Sequence, residues 1–346
     1  MGKRLGELTS ENTKCMVRVN GITLIERMLD QLERSKLKRI IIVIGFEGEK
    51  LKEFVSALHL STPIEFVVNE VYYKTNNIYS LFLAREKLRE DDTILLESDL
   101  IFEDPVLEKV INARHHSVAL VAKFESWMDG TVVNVDENDN IVRFIGRKQF
   151  RFEEISSYYK TVNIYKFSKE FSTTHYIPFL EAYCKALGNS EYYEQVLRVI
   201  TLLDKPEIKA LRLGHEHWYE IDDILDLDNA ETVFAAGEER TKRIQNRYGG
   251  YWRYPYLTDY CYLVNPYFPT PKLKAEIKAN LERLMDNYPS GMHINSLLAA
   301  RYFNVRREYI SIGNGAAELI KSIVGHLRGK MGVCYPSFEE YSNRKP

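Results

Sequence analysis

Between residues 24 and 122 the chain alternates between two hydrophobic periods, and this alternation limits the folds open to it. Residues 24–32 carry apolar side chains at Leu24, Ile25, Met28, Leu29 and Leu32, one face of a helix. IIIVIGF (40–46) is a continuous β-branched run, which reads as a strand buried on both faces. A helix near 48–58, a strand at 64–68, a helix at 78–89 and a strand at 93–97 follow, then a helix near 105–113 and a strand at 118–122. Strand and helix in strict turn predict an α/β fold, a mostly parallel sheet with helices on both faces.

After residue 130 the pattern changes. GTVVNVDENDNIVRFI (130–145) reads as a hairpin around Asp139 and Asn140. Helical stretches near 168–187 and 190–203 lead to short strands around 208–212 and 217–221. Residues 222–247 read as one long exposed helix. The Tyr-, Pro- and Gly-rich stretch 248–273 marks a boundary, giving domains 1–247 and 248–346. The second opens with a helix at 272–285 and a strand, Gly turn and helix over 309–327, too short to close a core of its own.

Composition narrows the class. Lys and Arg number 47 against 49 acids, a net charge of -2, without the basic excess of a nucleic-acid binder. No apolar run is long enough to span a membrane, and the N-terminus has no apolar signal core. Cys15, Cys184, Cys261 and Cys334 lie far apart, which argues against a zinc or disulfide framework and predicts a cytoplasmic location.

The chemistry concentrates at a few points. The chain opens Gly2-Lys3-Arg4-Leu5-Gly6, with Lys14 further on. A glycine backbone lets a loop approach phosphate, and Lys3, Arg4 and Lys14 would supply cations for a triphosphate. Alone, the fragment reads first as a solvated basic terminus. TILLE runs into Ser98-Asp99, which sets a carboxylate at the carboxyl end of a parallel strand, where such sheets bind ligands. Glu220-Ile221-Asp222-Asp223 ends another strand. Asp99 and Asp222 suit Mg²⁺, which takes one or two carboxylates plus phosphate oxygens. Asp223, Asp226 and Asp228 read as helix N-terminal and surface acids.

GKRLG, TKCM (13–16), TNNIYSL (75–81), LLESDLIF (95–102) and WYEIDD (218–223) resemble the sugar- and choline-phosphate nucleotidyltransferases across nearly all of 1–247. The resemblance implies a Rossmann-like domain and attack of a phosphate or phosphonate oxygen on the α-phosphorus of an NTP, with release of pyrophosphate. It matches Arg4 and Lys14 to the catalytic cations, Gly2 and Lys3 to the nucleotide loop, and Asp99 and Asp222 to the metal carboxylates. TKCM departs from the commoner PKPM-like signature and is similar to the cytidylyltransferase branch, which implies CTP. Asn76 and Asn77 would lie near the nucleoside or serve as a turn or cap. VAKFESWMDGTVV, YYKTVNIYKF and WYEIDD resemble the branch acting on small zwitterions. There Lys123 and Lys160 would meet the anion, and Trp127, Asp129, Glu216 and Trp218 the amine. His215 and His217 suggest no metal site. In the family a buried strand precedes the Gly-rich loop, and Met1 falls inside that loop. The expectation is that the reading frame starts upstream.

NPYFPTPKL (265–273), YISIGNGAAELI (309–320) and CYPSFEEY (334–341) resemble fold-type I pyridoxal-phosphate aminotransferases. The resemblance implies a cofactor phosphate held at Gly315, Ala316 and Ala317 and a ring stacked on Tyr341. The Schiff-base lysine is not assignable, so this part is expected to be inactive and not to hold the cofactor.

Together the two halves are similar to the bifunctional 2-aminoethylphosphonate cytidylyltransferase/aminotransferase proteins of phosphonate biosynthesis. The expected reaction is Mg²⁺-dependent transfer of CMP from CTP to 2-aminoethylphosphonate. Phosphocholine as acceptor and a non-catalytic nucleotide-binding module are the alternatives. The expected partners are CTP and a small zwitterion, with no nucleic acid or membrane span and a homodimer left open.

Overall fold

The structure is a computed structural model and describes residues 3–125, 127–203, 208–247, 254, 257–260 and 265–344. It divides into units 1–257 and 258–346. The first therefore runs past residue 247: Tyr254 is buried, and the Arg247 guanidinium lies 5.6 Å from the centre of its ring.

Two 3-10 turns, Lys3–Thr9 and Lys14–Met16, open the first unit. β1 (Arg18–Val19) and β2 (Ile22–Thr23) form a small hairpin that delivers α1 (Leu24–Arg34). Thr23 caps this helix, its hydroxyl accepting the Glu26 N–H at 3.2 Å. The stripe Leu24, Ile25, Met28, Leu29 and Leu32 is buried, each such side chain contributing ~1.5–3 kcal/mol. β3 (Ile40–Ile44), α2 (Gly48–Ser56), β4 (Ile64–Val68), α3 (Asn77–Leu83), α4 (Arg85–Leu88) and β5 (Thr93–Leu96) follow. After them come β6 (Leu100–Phe102), α5 (Asp104–Ile111), β7 (Val118–Lys123), β8 (Val132–Val135) and β9 (Ile141–Ile145). β10 (Tyr158–Phe167), α6 (Lys169–Phe171), α7 (Ile177–Leu187) and α8 (Glu194–Ile200) lead to β11 (Lys209–Arg212), β12 (Trp218–Glu220), α9 (Ile224–Val233) and α10 (Gly237–Gln245).

β10 is the spine of the unit. β7 lies along one edge of it; along the other, β8 pairs with residues 158–160 and β5 with residues 164–167, all antiparallel. β11 joins β7 in parallel, and β9 joins β8 as the expected hairpin. β3 and β4 make a separate parallel pair, β6 and β12 an antiparallel one. Alternate residues of β10 serve two cores, as the two-residue pleat requires. Tyr165 and Phe167 pack with α3, α7 and α8, while Val162 and Ile164 pack with α1, α2 and α5.

The expectation of a mostly parallel sheet is thus corrected. Among the described residues, parallel pairing is confined to β3 with β4 and β7 with β11. An apolar run such as VALVA reports burial on both faces, not strand direction, and β10 returns antiparallel through the middle. β5 accordingly ends antiparallel to its neighbour rather than at the edge of a parallel array. The single helix expected over 222–247 breaks at Phe234–Ala236, before Gly237 at φ +56, and α9 buries Asn229, Ala230 and Thr232. The helix expected over 78–89 splits at Ala84.

The second unit holds α11 (Pro271–Ala279), α12 (Leu281–Asp286), α13 (Met292–Phe303), α14 (Ala316–His326) and α15 (Glu339–Asn343). The strand expected in YISIGNG is absent among the described residues: Tyr309 closes a 3-10 turn, and the segment after it has no ladder partner. The helix expected over 272–285 breaks at Asn280. α13 has no counterpart in the sequence reading, because its apolar residues circle the helix instead of forming a stripe.

Candidate active site

β6 and β12 pair antiparallel with Leu100 opposite Glu220. This register brings the residue before β6 beside those after β12, and the Ile221 N–H donates to the Asp99 carbonyl at 3.0 Å. The Asp99 and Asp222 side chains meet at this end. Lys14 Nζ donates to Asp99 Oδ2 at 2.5 Å and to Asp222 Oδ1 at 2.6 Å, and Arg4 Nη2 reaches Asp222 Oδ2 at 2.8 Å. The neighbouring Cys15, buried in the core, anchors the Lys14 turn. Burial works against the Lys14 ammonium, but Asp99 and Asp222 outweigh it and hold its pKa above the ordinary lysine value. Burial would likewise raise Asp222, yet Lys14 and Arg4 hold it below the usual carboxylate range.

This cluster forms part of the wall of a cavity of about 1310 Å³. A single small-molecule pocket occupies ~300–1,000 Å³, so two ligands fit side by side. Lys160 and Asn163, where β8 and β5 part along β10, line the cavity. A bulge sits there, with Asn163 in the left-handed region at φ +61, a conformation asparagine tolerates better than most residues. Lys160 is buried and donates to Glu220 Oε2 at 3.1 Å and to the Thr161 carbonyl at 2.8 Å. Gly130, at φ +94, lies beside it, and a Cβ there would stand 3.2 Å from Nζ, so a larger residue would be strained in its backbone and would press on this ammonium. Asn76 and Asn77 line the cavity and also hold structure. The Asn76 side chain caps α3, and Asn77 Oδ1 accepts the Tyr193 N–H at 3.0 Å.

Three carboxylates with no role assigned from the sequence complete the wall: Glu97, Glu194 and Glu220. Burial raises all three pKa values. The Asp99 charge pushes Glu97 further up, Lys160 partly offsets the rise at Glu220, and Glu194 reaches about 7. Glu194 Oε2 and Asp99 Oδ1 are buried without a hydrogen-bond partner. Carboxylate oxygens of Glu97, Asp99 and Glu220 lie within 4.8 Å of one another. With the free Asp99 oxygen, this all-oxygen anionic set fits a hard divalent cation such as Mg²⁺.

Of the residues expected at the acceptor, Trp127, Asp129, Lys160 and Trp218 line the cavity. Trp127 stacks on Tyr219 at 5.3 Å. Lys123 and Glu216 do not line it, which corrects their assignment. Lys123 ends β7, donates to the Ser156 carbonyl at 2.5 Å and lies over the Tyr159 ring. Glu216 pairs with Lys109 at 2.7 Å and accepts the Gly214 N–H. Asp223 caps α9 in a capping box with Asp226, as its helix N-terminal reading requires. His217 Nδ1 lies 2.9 Å from Glu103. Gly2 and the Lys3 side chain lie outside what the structure describes. In the second unit, Gly315, Ala316 and Ala317 begin α14, where the Glu318 carboxylate accepts the Asn314 N–H, and Tyr341 is exposed against the edge of Phe338.

Residues 1–159 match the MobA-like NTP transferase domain family. Over that stretch the first unit is similar to NTP transferases. The CMP-5'-(3-aminopropyl)phosphonate synthase of Streptomyces rubellomurinus is 30% identical over 344 residues, 99% of this chain and 54% of that protein. The 2-aminoethylphosphonate cytidylyltransferase of Lancefieldella rimae is 30% identical over 145 residues, 41% of this chain and 56% of its own length. The chain thus spans little more than half of either relative. The CTP:phosphocholine cytidylyltransferase of Streptococcus pneumoniae shares the fold, with a TM-score of 0.55 at 20% identity over 68% of this chain and 95% of that one. The first unit carries the cavity whole: its lining residues run from Arg4 to Asp226.

Proposed function

We propose that the first unit transfers CMP from CTP to a small aminoalkylphosphonate, 2-aminoethylphosphonate first among them. A phosphonate oxygen forms the new bond to the α-phosphorus, the α–β bridge breaks, and pyrophosphate leaves. Arg4 and Lys14 face the charge that builds on the phosphates, which is where fixed cations count most. Asp99 and Asp222 would hold Mg²⁺, which when bound neutralises the triphosphate.

The observation that carries the reading is the surplus of buried carboxylate beside the Lys14 cluster. Glu97, Glu194 and Glu220 face one another with Lys160 as their close cation. A sugar phosphate brings such a wall no positive charge. A primary ammonium brings the charge and three N–H donors, and a buried oxygen such as Glu194 Oε2 needs a donor. A trimethylammonium group has the charge but no donor, which places phosphocholine second. The names of the Streptomyces and Lancefieldella relatives agree with this order.

Pyrophosphate release from CTP and Mg²⁺, measured over a panel of acceptors, tests the reading. Turnover is expected with 2-aminoethylphosphonate and 3-aminopropylphosphonate, less with phosphocholine, and none with glucose 1-phosphate. Turnover of phosphocholine alone would select the alternative acceptor. Release with none of the aminated acceptors would remove the reading altogether.

The second unit we read as the first part of a pyridoxal-phosphate aminotransferase domain, on its three motifs. Gly315, at φ +87, precedes α14, where the resemblance places the cofactor phosphate. No lysine of the unit is assigned to the cofactor, so no step is drawn through it.

A further inference from the structure

The acceptor has an anionic end as well as an amine, and most of the cavity's cations already have partners. Lys14 and Arg4 are paired with Asp99 and Asp222, Lys160 with Glu220, Arg198 donates to Gln195 Oε1 at 3.5 Å, and Lys123 lies outside. The turn after β9 offers two others. Gly146, Arg147, Lys148 and Gln149 line the cavity, and the Gln149 N–H donates to the Gly146 carbonyl at 2.9 Å to close one 3-10 turn. Both ends of this turn are pinned. Ile145 before it is buried, and Phe150 after it packs on Phe124 at 5.3 Å and Tyr158 at 5.0 Å. Between these anchors Arg147 and Lys148 stand exposed, and among the described residues neither makes an ion pair. Their basic neighbours differ: Arg143 and Arg151 share Glu154, each at 3.7 Å.

The sheet register gives the turn its side of the cavity. Ile145 pairs with Val132, and Val132 with Lys160, so one row across three strands leads from the turn to the acceptor wall of Trp127, Asp129 and Lys160. We infer that Arg147 and Lys148 form the recognition site for the acceptor's phosphonate or phosphate group and thereby set specificity for acceptors with an anionic end. This rests on the reading of the cavity as a cytidylyltransferase site. A guanidinium offers a planar fork of donors to a tetrahedral oxyanion, and the lysine a mobile point charge. Because the turn is fixed between packed residues, little ordering is needed when the anion arrives.

The experiment is steady-state kinetics of the full chain with CTP and 2-aminoethylphosphonate for wild type, Arg147→Ala, Lys148→Ala and the double variant. Each single change is expected to raise the acceptor KM by about tenfold, the worth of a charged hydrogen bond, with kcat and the CTP KM little changed. Arg147→Lys should recover part of the loss. Arg143→Ala, whose partner is Glu154, should behave as wild type. An unchanged acceptor KM, or an equal rise in the CTP KM, would overturn the assignment. Calorimetry with methylphosphonate, which has the anion but no amine, separates this inference from the reading beneath it. Binding by wild type and not by the double variant supports the site even if no acceptor turns over. Equal binding by both refutes it even if the enzyme is active.

Discussion

Asp99 and Asp222 share one ammonium, so either carboxylate alone leaves Lys14 with half its compensation. Asp99→Asn and Asp222→Asn are each expected to lower turnover by orders of magnitude while the melting curve by circular dichroism stays cooperative. Asp223→Asn is the comparison, since asparagine caps a helix about as well as aspartate. Near-normal turnover in both of the first two variants would dismiss the cluster as catalytic. Glu194 gives a test by pH. Its pKa is raised from 4.5 to about 7, so between these values the folded chain holds a proton that the unfolded chain has lost. Stability must then fall as pH rises through that window. Glu194→Gln is expected to remove this loss, at most ~3 kcal/mol, and to melt higher than wild type at pH 8. Parallel melting-temperature curves against pH for the two proteins would contradict the assignment.

At the scale of elements, β10 carries both the sheet and part of the cavity wall. Its bulge depends on Asn163 at φ +61, where a β-branched side chain is strained. Asn163→Val is expected to cost ~1–3 kcal/mol in urea unfolding, and Asn163→Gly far less of it. Equal losses would mean that the side chain, not the backbone, is what matters there. α1 and the strands β3, β4 and β7 were legible in the sequence, because each has the length to show its period and its burial. β6 and β12 were not assigned as a pair: three residues show no period, and only their partnership creates the site. Strand direction was illegible for the reason VALVA shows, and the break before α10 lay hidden in a continuous polar pattern. Within the site, Asp99 and Asp222 stood at strand ends and were legible. ESD and EID carry the same Glu-x-Asp spacing, a signal that would have found Glu97 and Glu220. Nothing in EYYEQV marks Glu194, whose burial is a product of tertiary packing. Lys123 misled because the last residue of a strand can leave the sheet on either side.

At the scale of the molecule, the cavity belongs wholly to the first unit. Residues 1–257 produced alone are expected to release pyrophosphate at a rate comparable with that of the full chain, within about threefold, since the core clusters and the cavity are built from residues of this unit. Loss of activity in that fragment, with its fold intact by circular dichroism, would show that the second unit contributes to the site. The second unit leaves Met285, Tyr288, Tyr302 and Phe303 exposed. Apolar surface of that kind favours self-association, which sedimentation of the two fragments would compare. No helix among the described residues is long and apolar enough to cross a membrane. The Lys14 bridge has a consequence in time as well as in space. Lys14 reaches acids 85 and 208 residues away along the chain. Closing loops of that length carries an entropy cost that only the completed sheet repays, so the centre forms late in folding. On the ribosome, at ~5–20 residues per second, a nascent chain spends many seconds with Lys14 and Asp99 already made and Asp222 still unborn. Throughout that interval the growing polypeptide has no acid pair, and the Lys14 bridge closes only when the segment carrying Asp222 docks.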